Sequence, residues 1–210
     1  DIDIAFPIVH GTNVEDGVLQ GYLQSIGIPF VGGDVYASAV GQDKVYMKAL
    51  FKDSDLPMTK YVWFYDCDYK NDSEEVIKKV NKLKYPVIVK PACTGSSVGI
   101  KVVDDESELV EAIDDAIQYD NKILVEEVVT DLKEVNISVV GNYEHQKTSE
   151  IEEVISANKF LTYADKYIGG GKGKLKGMKM PMKTPSKGMA SANRKLPADL
   201  SDKMRKEVEE

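Results

Sequence analysis

The chain has 210 residues, with 27 Lys and Arg against 35 Asp and Glu, a formal charge of −8 at pH 7 and only two cysteines. Such a length supports one large domain or two small ones, and the acidic balance argues against bulk attraction to nucleic acid or an anionic membrane. Cys67 and Cys93 make no disulfide or zinc framework and no apolar run suits a bilayer span, so a soluble protein of a reducing cytoplasm is expected.

In chain order, Asp1 to Val9 alternates like a strand entered without a lead-in. Together with a charged helical pattern at 201–210 that halts before burying a face, it reads as an excerpt of a longer protein. His10-Gly11-Thr12-Asn13 follows, and Glu15-Asp16-Gly17 opens a helix with Asn13 as its N-cap and the acids in the first turn, where the helix dipole favours them. Val18, Leu19, Tyr22, Leu23 and Ile26 recur at helical spacing, Gly27 stops the helix, and Ile28 to Val31 begins a second strand. This β-α-β pattern predicts a parallel sheet with the 10–16 loop at a strand's carboxyl end, where open α/β sheets bind ligands. On the plainer reading, Glu15 and Asp16 only complement the dipole and His10 is an ordinary polar loop residue.

Short helices are predicted over 34–40 and 43–54. Lys44 falls in the first turn of the second, behind its cap Asp43, where a cation opposes the dipole unless Asp43 or a bound anion offsets it. A strand over 59–65, a polar loop over 66–72 and an amphipathic helix over 73–84 follow, the helix carrying Val76, Ile77, Val80 and Leu83 inward. Trp63, Tyr65 and Cys67 read as packing residues.

Val87 to Val103, VIVKPACTGSSVGIKVV, organises what lies around it. Two β-prone runs, Val87 to Lys90 and Gly99 to Val103, flank a loop holding Gly95, Ser96, Ser97 and Gly99. The order strand, loop, strand is not that of a P-loop, which enters a helix with Lys-Ser or Lys-Thr at its end. With Val87 and Val89 on one face, Ile88 and Lys90 fall on the other, and the ammonium sits beside the loop. Small residues let backbone N–H groups approach an anion, while two hydroxyls and the lysine add donors and charge. A plain hairpin with a Gly/Ser turn fits the same letters.

A helix over 105–119 is predicted next, with Leu109, Val110, Ile113, Ala116 and Ile117 along one stripe. The strand 122–129 sends Glu126 and Glu127 to opposite faces, so one of them faces inward or lies at the sheet's edge. An inward carboxylate needs a partner. The alternative is surface pairing with Lys78, Lys101 or other lysines. Glu134 begins a strand over 134–140, and 143–154 reads as a polar strand or hairpin. Residues 168–187 are rich in Gly and Lys without a hydrophobic period, and fit a linker, a nucleic-acid-binding arm or a mobile lid. The acidic chain weighs against the arm, and the phosphate-suited hairpin upstream favours the lid.

Taken together, these segments resemble the D-alanine:D-alanine ligases of the ATP-grasp superfamily, in order and over nearly the whole chain. FPIVHGTNVEDG is similar to the family's Phe-Pro, His-Gly and Glu-Asp-Gly signature, and IPFVGGDVYASAVGQDK to the approach to its first nucleotide lysine. VIVKPACTGSSVGI resembles the phosphate-covering loop, ILVEEVV the adenine hinge, and FLTYADKYIGGG the ω-loop. The resemblance implies an α/β (α+β) chain with an ATP-grasp fold and part of a preceding Rossmann-like domain. Residues 1–33 would end an N-terminal substrate domain, 34–126 would form the central ATP-grasp subdomain, and 127–210 would begin the C-terminal one.

The roles implied are those of a cytoplasmic ligase that joins two D-alanines through an acyl phosphate and supplies peptidoglycan synthesis. Lys44 and Lys90 would contact the phosphates of ATP, with Gly95, Ser96 and Ser97 covering them. Glu126 would meet the adenine amino group, Glu127 and Val129 would offer hinge backbone, and Glu134 would bind ribose. His10 and Glu15 would lie near the first D-alanine. Lys166 and Tyr167 would come down with the lid, the lysine on the moving phosphoryl group and the tyrosine beside the substrate, bonded to Ser96. Magnesium or manganese would be held by residues beyond Glu210, with no metal ligand inside the chain.

The implied partners are D-alanine or D-serine and a second copy in a homodimer, with no nucleic acid or membrane. Tyr167 favours an amine acceptor, because lactate-using relatives carry a different lid. Cys93, Thr94 and Ala164 depart from the family's usual residues. Another carboxylate–amine ligase of the superfamily, or a non-catalytic nucleotide- or nucleic-acid-binding module, stays open. Made alone, the 210 residues are expected to have little or no ligase activity.

Overall fold

The computed structural model describes residues 1–155 and 193–210, in two units, Asp1–Val129 and Thr130–Glu210. The first unit is built on β1 (Tyr61–Tyr65), β2 (Val87–Pro91), β3 (Lys101–Val103) and β4 (Lys122–Glu127). They form one antiparallel sheet in the order β1-β4-β2-β3. Period-two alternation gives it two faces. Val87, Val89, Val103, Ile123 and Val125 bury against α5 (Ser73–Val80) and α6 (Leu109–Ala116), whose apolar stripes supply Val76, Val80, Leu109, Ala112, Ile113 and Ala116. Leu124 instead points to the opposite face, where it packs on Val45 of α3 (Lys44–Asp53), Ala92 and Tyr61. The register sets Ile88 across from Glu126 and Lys90 across from Leu124, so Lys90 and Glu126 share the α3 face.

Several local expectations change. The 66–72 stretch is not a loop but the helix α4 (Asp66–Asn71). Asp68 accepts from the Tyr65 N–H at 3.1 Å, Lys70 bridges to Asp66 at 2.5 Å one turn back, and Tyr69 buries against Phe64. The first helix, α1 (Val18–Ser25), starts later than predicted, with Gly17 rather than Asn13 as its N-cap at φ 93°. Asp16 builds the turn before it, accepting from the N–H groups of Asn13 at 2.7 Å and Val18 at 3.2 Å. The opening β-α-β pattern closes as a single parallel bridge between Ala5 and Phe30. Of α1's apolar residues only Leu23 is buried, while Val18 and Tyr22, and Ile26 just past its end, are exposed. The helix α2 (Val35–Gln42) is capped by Asp34, whose carboxylate accepts from the Ala37 N–H at 2.8 Å.

In the second unit the predicted 134–140 strand divides, because its halves pair with different partners. β5 (Glu134–Asn136), β8 (Glu152–Ile155) and β9 (Asn193–Lys195) form an antiparallel sheet in the order β5-β8-β9. Among the described residues β6 (Val139–Gly141) pairs with β7 (Gln146–Thr148) alone. Ile151 is buried, and an Arg194–Glu152 ion pair of 2.7 Å ties β9 to β8. The last helix, α7 (Asp202–Glu209), is capped by the Ser201 hydroxyl, which accepts from the Met204 N–H at 3.3 Å. Among the described residues no helix is long and apolar enough to cross a membrane.

Candidate functional site

Two lysines from different elements converge beside the 92–98 loop. Asp43 caps α3 by accepting from the N–H groups of Val45 and Tyr46, which sets Lys44 in the first turn facing the end of β2. The Lys44 ammonium donates to the carbonyls of Pro91, Ala92 and Thr94 at 3.1, 3.1 and 2.6 Å, and its backbone N–H also donates to Ala92. Lys44 is therefore a structural tether for the loop as well as a charge beside it. Burial, and then the positive charge of Lys90, hold its ammonium below the ordinary 10.5. Past Thr94 the backbone turns left-handed at two consecutive non-glycine residues, Ser96 (φ 55°) and Ser97 (φ 61°), and again at Gly99 (φ 69°). Successive N–H groups in such a turn form a concavity suited to an anion, and two serines held there are strained.

The inward carboxylate is Glu126. Its Oε1 is paired with the Lys90 ammonium, and its Oε2 accepts from Lys48 at 2.6 Å and from the Thr59 hydroxyl at 2.8 Å. Burial alone would raise the Glu126 carboxyl, but the charge of Lys90 and the hydrogen bonds from Lys48, Lys90 and Thr59 outweigh it and hold the group below 4.5. Glu127, on the other face, accepts from the Lys84 N–H at 2.9 Å, and its own N–H is committed to the Lys60 carbonyl at 3.0 Å. The alternative of surface pairing with Lys101 is set aside, since Lys101 pairs with Glu111 at 2.8 Å. Val129 is about half exposed at the end of the first unit, and Glu134, half-buried, opens β5 in the second.

The 10–16 loop also comes near the glycine-serine loop. A cleft of about 560 Å³ is lined by Thr12, Asp16, Gln42, Tyr46, Thr94 and Gly95 among others. Glu15 turns back on its own loop, accepting from the Gly11 N–H at 2.6 Å with the His10 ring 3.4 Å away. Cys93 also borders the cleft, but local burial of its thiol and then the carboxylates of Asp120 and Asp43 push it up to about 12, so it is no nucleophile at neutral pH. Lys166 and Tyr167, and the lid expected over 168–187, lie outside the described residues.

Three participants were not singled out from the sequence. Lys48 and Thr59 complete the Glu126 cluster, and Lys122 pairs with Asp43 at 2.5 Å beneath the rings of Tyr46, Tyr65 and Trp63. The one available signal was the spacing of Lys44 and Lys48, four apart on a helix and hence on one side of it.

The D-ala D-ala ligase C-terminus family model matches residues 50–203, and the D-ala D-ala ligase N-terminus model matches residues 1–33. A D-alanine–D-alanine ligase of Acetivibrio thermocellus is 44% identical over 168 residues, covering 80% of this chain and 44% of that protein. One from Natranaerobius thermophilus is 44% identical over 169 residues, covering 80% and 46%. Among solved structures, the VanG D-Ala:D-Ser ligase of Enterococcus faecalis superposes with a TM-score of 0.77 at 28% identity, over 99% of this chain and 53% of that one. The D-alanine-D-alanine ligase of Helicobacter pylori gives a TM-score of 0.64 at 32% identity, over 76% and 48%. The sheet, its two helical faces and these likenesses define an ATP-grasp fold. The chain belongs to the D-alanine–D-alanine ligase family, and it spans less than half the length of the curated relatives it matches.

Proposed function

We propose that this chain carries the nucleotide-handling part of a cytoplasmic enzyme that joins two D-alanines at the expense of ATP. The observation that supports it most is the convergence of Lys44 and Lys90 on a loop with left-handed Ser96 and Ser97. Two ammonium groups near one another, with Glu126 the carboxylate on Lys90, leave positive charge for phosphate oxygens. In this reading Lys44, Lys90, Gly95, Ser96 and Ser97 hold the phosphates, Glu126 and the hinge at Glu127 and Val129 take adenine, and Glu134 takes ribose. Since the Glu127 N–H is already used, its hinge contact falls to its carbonyl. His10 and Glu15 take the first D-alanine. The same reading keeps residues 1–33, 34–126 and 127–210 as the substrate domain and the two ATP-grasp subdomains, acting as a homodimer.

The chemical task is to make a carboxylate electrophilic. Its oxygen attacks the terminal phosphorus of ATP, the bond to ADP breaks, and the acyl phosphate formed is attacked by a second amine with loss of phosphate. Lysines at the phosphates offset charge on the moving group. A divalent metal belongs to this chemistry, but among the described residues no group of three or more His, Cys, Asp or Glu could hold one, and none is assigned a ligand role.

The likeness to a D-Ala:D-Ser ligase favours D-serine as a second candidate acceptor. Phosphate release from ATP by the intact protein, measured across D-amino acids, tests both readings. D-Alanine alone should stimulate release and yield dipeptide, whereas a requirement for added D-serine selects the second reading. Release indifferent to every D-amino acid contradicts both.

A further inference from the structure

The Glu126 cluster holds one carboxylate and two lysines, and its two cations are not equivalent. The Lys48 side chain, from α3, is 10% exposed and its ammonium is 5.0 Å from the centre of the Tyr61 ring. The Lys90 side chain is 22% exposed and stands at the end of β2 next to the glycine-serine loop. Each takes a different oxygen of Glu126, and Thr59 ties Lys48 to the same oxygen, donating to Oε2 at 2.8 Å while its hydroxyl accepts from Lys48 at 3.3 Å. A buried carboxylate stripped of its only cation is strongly penalised. With Lys48 in place, Lys90 can leave Glu126 without that penalty.

We propose that Lys48 is a positioning residue that keeps Glu126 paired while Lys90 transfers from the carboxylate to the phosphates of a bound nucleotide. The proposal rests on the nucleotide reading given above. Lys48 meets Glu126 and Thr59 rather than the glycine-serine loop, so its loss reaches the phosphates through Lys90, over and above any effect on the adenine contact of Glu126 that ADP and adenosine share. Without Lys48, phosphates must pull Lys90 away from a carboxylate left with Thr59 alone, whereas a nucleoside lacking phosphate makes no such demand.

The test is calorimetric titration of the chain with ADP and, separately, with adenosine, for wild type, Lys48→Met and Lys48→Arg. Lys48→Met should weaken ADP roughly tenfold or more, as expected when a buried pair is stripped, and adenosine far less, with Lys48→Arg restoring most of the difference. Equal losses for both ligands, or no loss, overturn the role of Lys48 while leaving the nucleotide site standing. Failure of the wild-type chain to bind either ligand overturns the nucleotide reading and this inference with it. Should Lys48→Met not fold, side-chain ¹⁵N signals of lysine in the wild-type chain decide the matter. ADP should move the Lys90 signal and leave that of Lys48 in place, and equal movement of both contradicts the proposal.

Discussion

Asp43→Asn removes a charge from a buried pair while keeping the shape and the helix cap. Asp43 and Lys122 are each 6% exposed and lie 2.5 Å apart. Asparagine ranks with aspartate as an N-cap, so the contacts to Val45 and Tyr46 survive and the change isolates the ionic term. It leaves the Lys122 ammonium buried, 3.9 Å from the centre of the Tyr46 ring and 5.7 Å from that of Tyr65. Cation–π attraction contributes about 0.5 to 2 kcal/mol, less than the roughly 3 to 5 kcal/mol lost when one partner of a buried pair is removed. A net loss of about 3 kcal/mol, with a urea slope of about 2 kcal/mol per molar, lowers the unfolding midpoint by roughly 1.5 M. Trp63, the single tryptophan, lies in β1, so its fluorescence follows the first unit. The double variant Asp43→Asn, Lys122→Met should lose less than the sum of the singles. A shift below about 0.5 kcal/mol for Asp43→Asn, or strict additivity, would refute the reasoning.

Acid should act through the buried carboxylates of Asp43 and Glu126. Burial opposes ionisation of both Asp43 and Glu126, yet their lysine partners hold them below 3.8 and 4.5. The folded state therefore binds protons less readily than the unfolded chain, and the stabilisation is complete above roughly pH 5 and is lost as the pH falls through the depressed values. Urea midpoints should drop on that limb, and Glu126→Gln should make the drop shallower; an unchanged slope counts against the pairing. Gly99→Ala places a Cβ 2.5 Å from a Tyr119 ring carbon and 2.9 Å from Pro91 Cγ at φ 69°, and should cost about 1 to 3 kcal/mol by urea unfolding. Gly95→Ala meets nothing within 4 Å and should stay within about 0.5 kcal/mol of wild type, so equal effects at the two glycines contradict the loop geometry.

Where a local rule decided the outcome, the sequence was legible. Period two put Lys90 on the face opposite Val87 and Val89 and set Glu126 against Glu127, and the structure keeps both assignments. The need of an inward carboxylate for a partner was also visible, but the partner was not. Lys48 meets Glu126 only because β4 lies between β1 and β2 with α3 packed on that face, an ordering no local pattern encodes. The same holds for Lys122 and Asp43, joined from distant parts of the chain. Short elements misled for a different reason. Asp66–Asn71 has the polar composition of a loop, and its helix is held by a carboxylate cap, one ion pair and the single buried ring of Tyr69. By position in the sequence Glu15 and Asp16 suit a helix dipole, yet both bond the backbone of the turn ahead of α1. Segment 134–140 has one β-prone pattern but two sets of strand partners, and pairing rather than propensity divided it.

Titration of ADP against wild type, Lys90→Ala and Lys101→Ala tests most directly whether the glycine-serine hairpin is a phosphate site. Lys90 is placed to give charge-assisted hydrogen bonds to phosphate, worth about 1.5 to 3 kcal/mol, so its loss should weaken binding by roughly tenfold or more. Lys101, held by the exposed Glu111, should change affinity by less than about twofold. Equal effects of the two substitutions, or no saturable binding of ADP by the wild-type chain, would contradict the site.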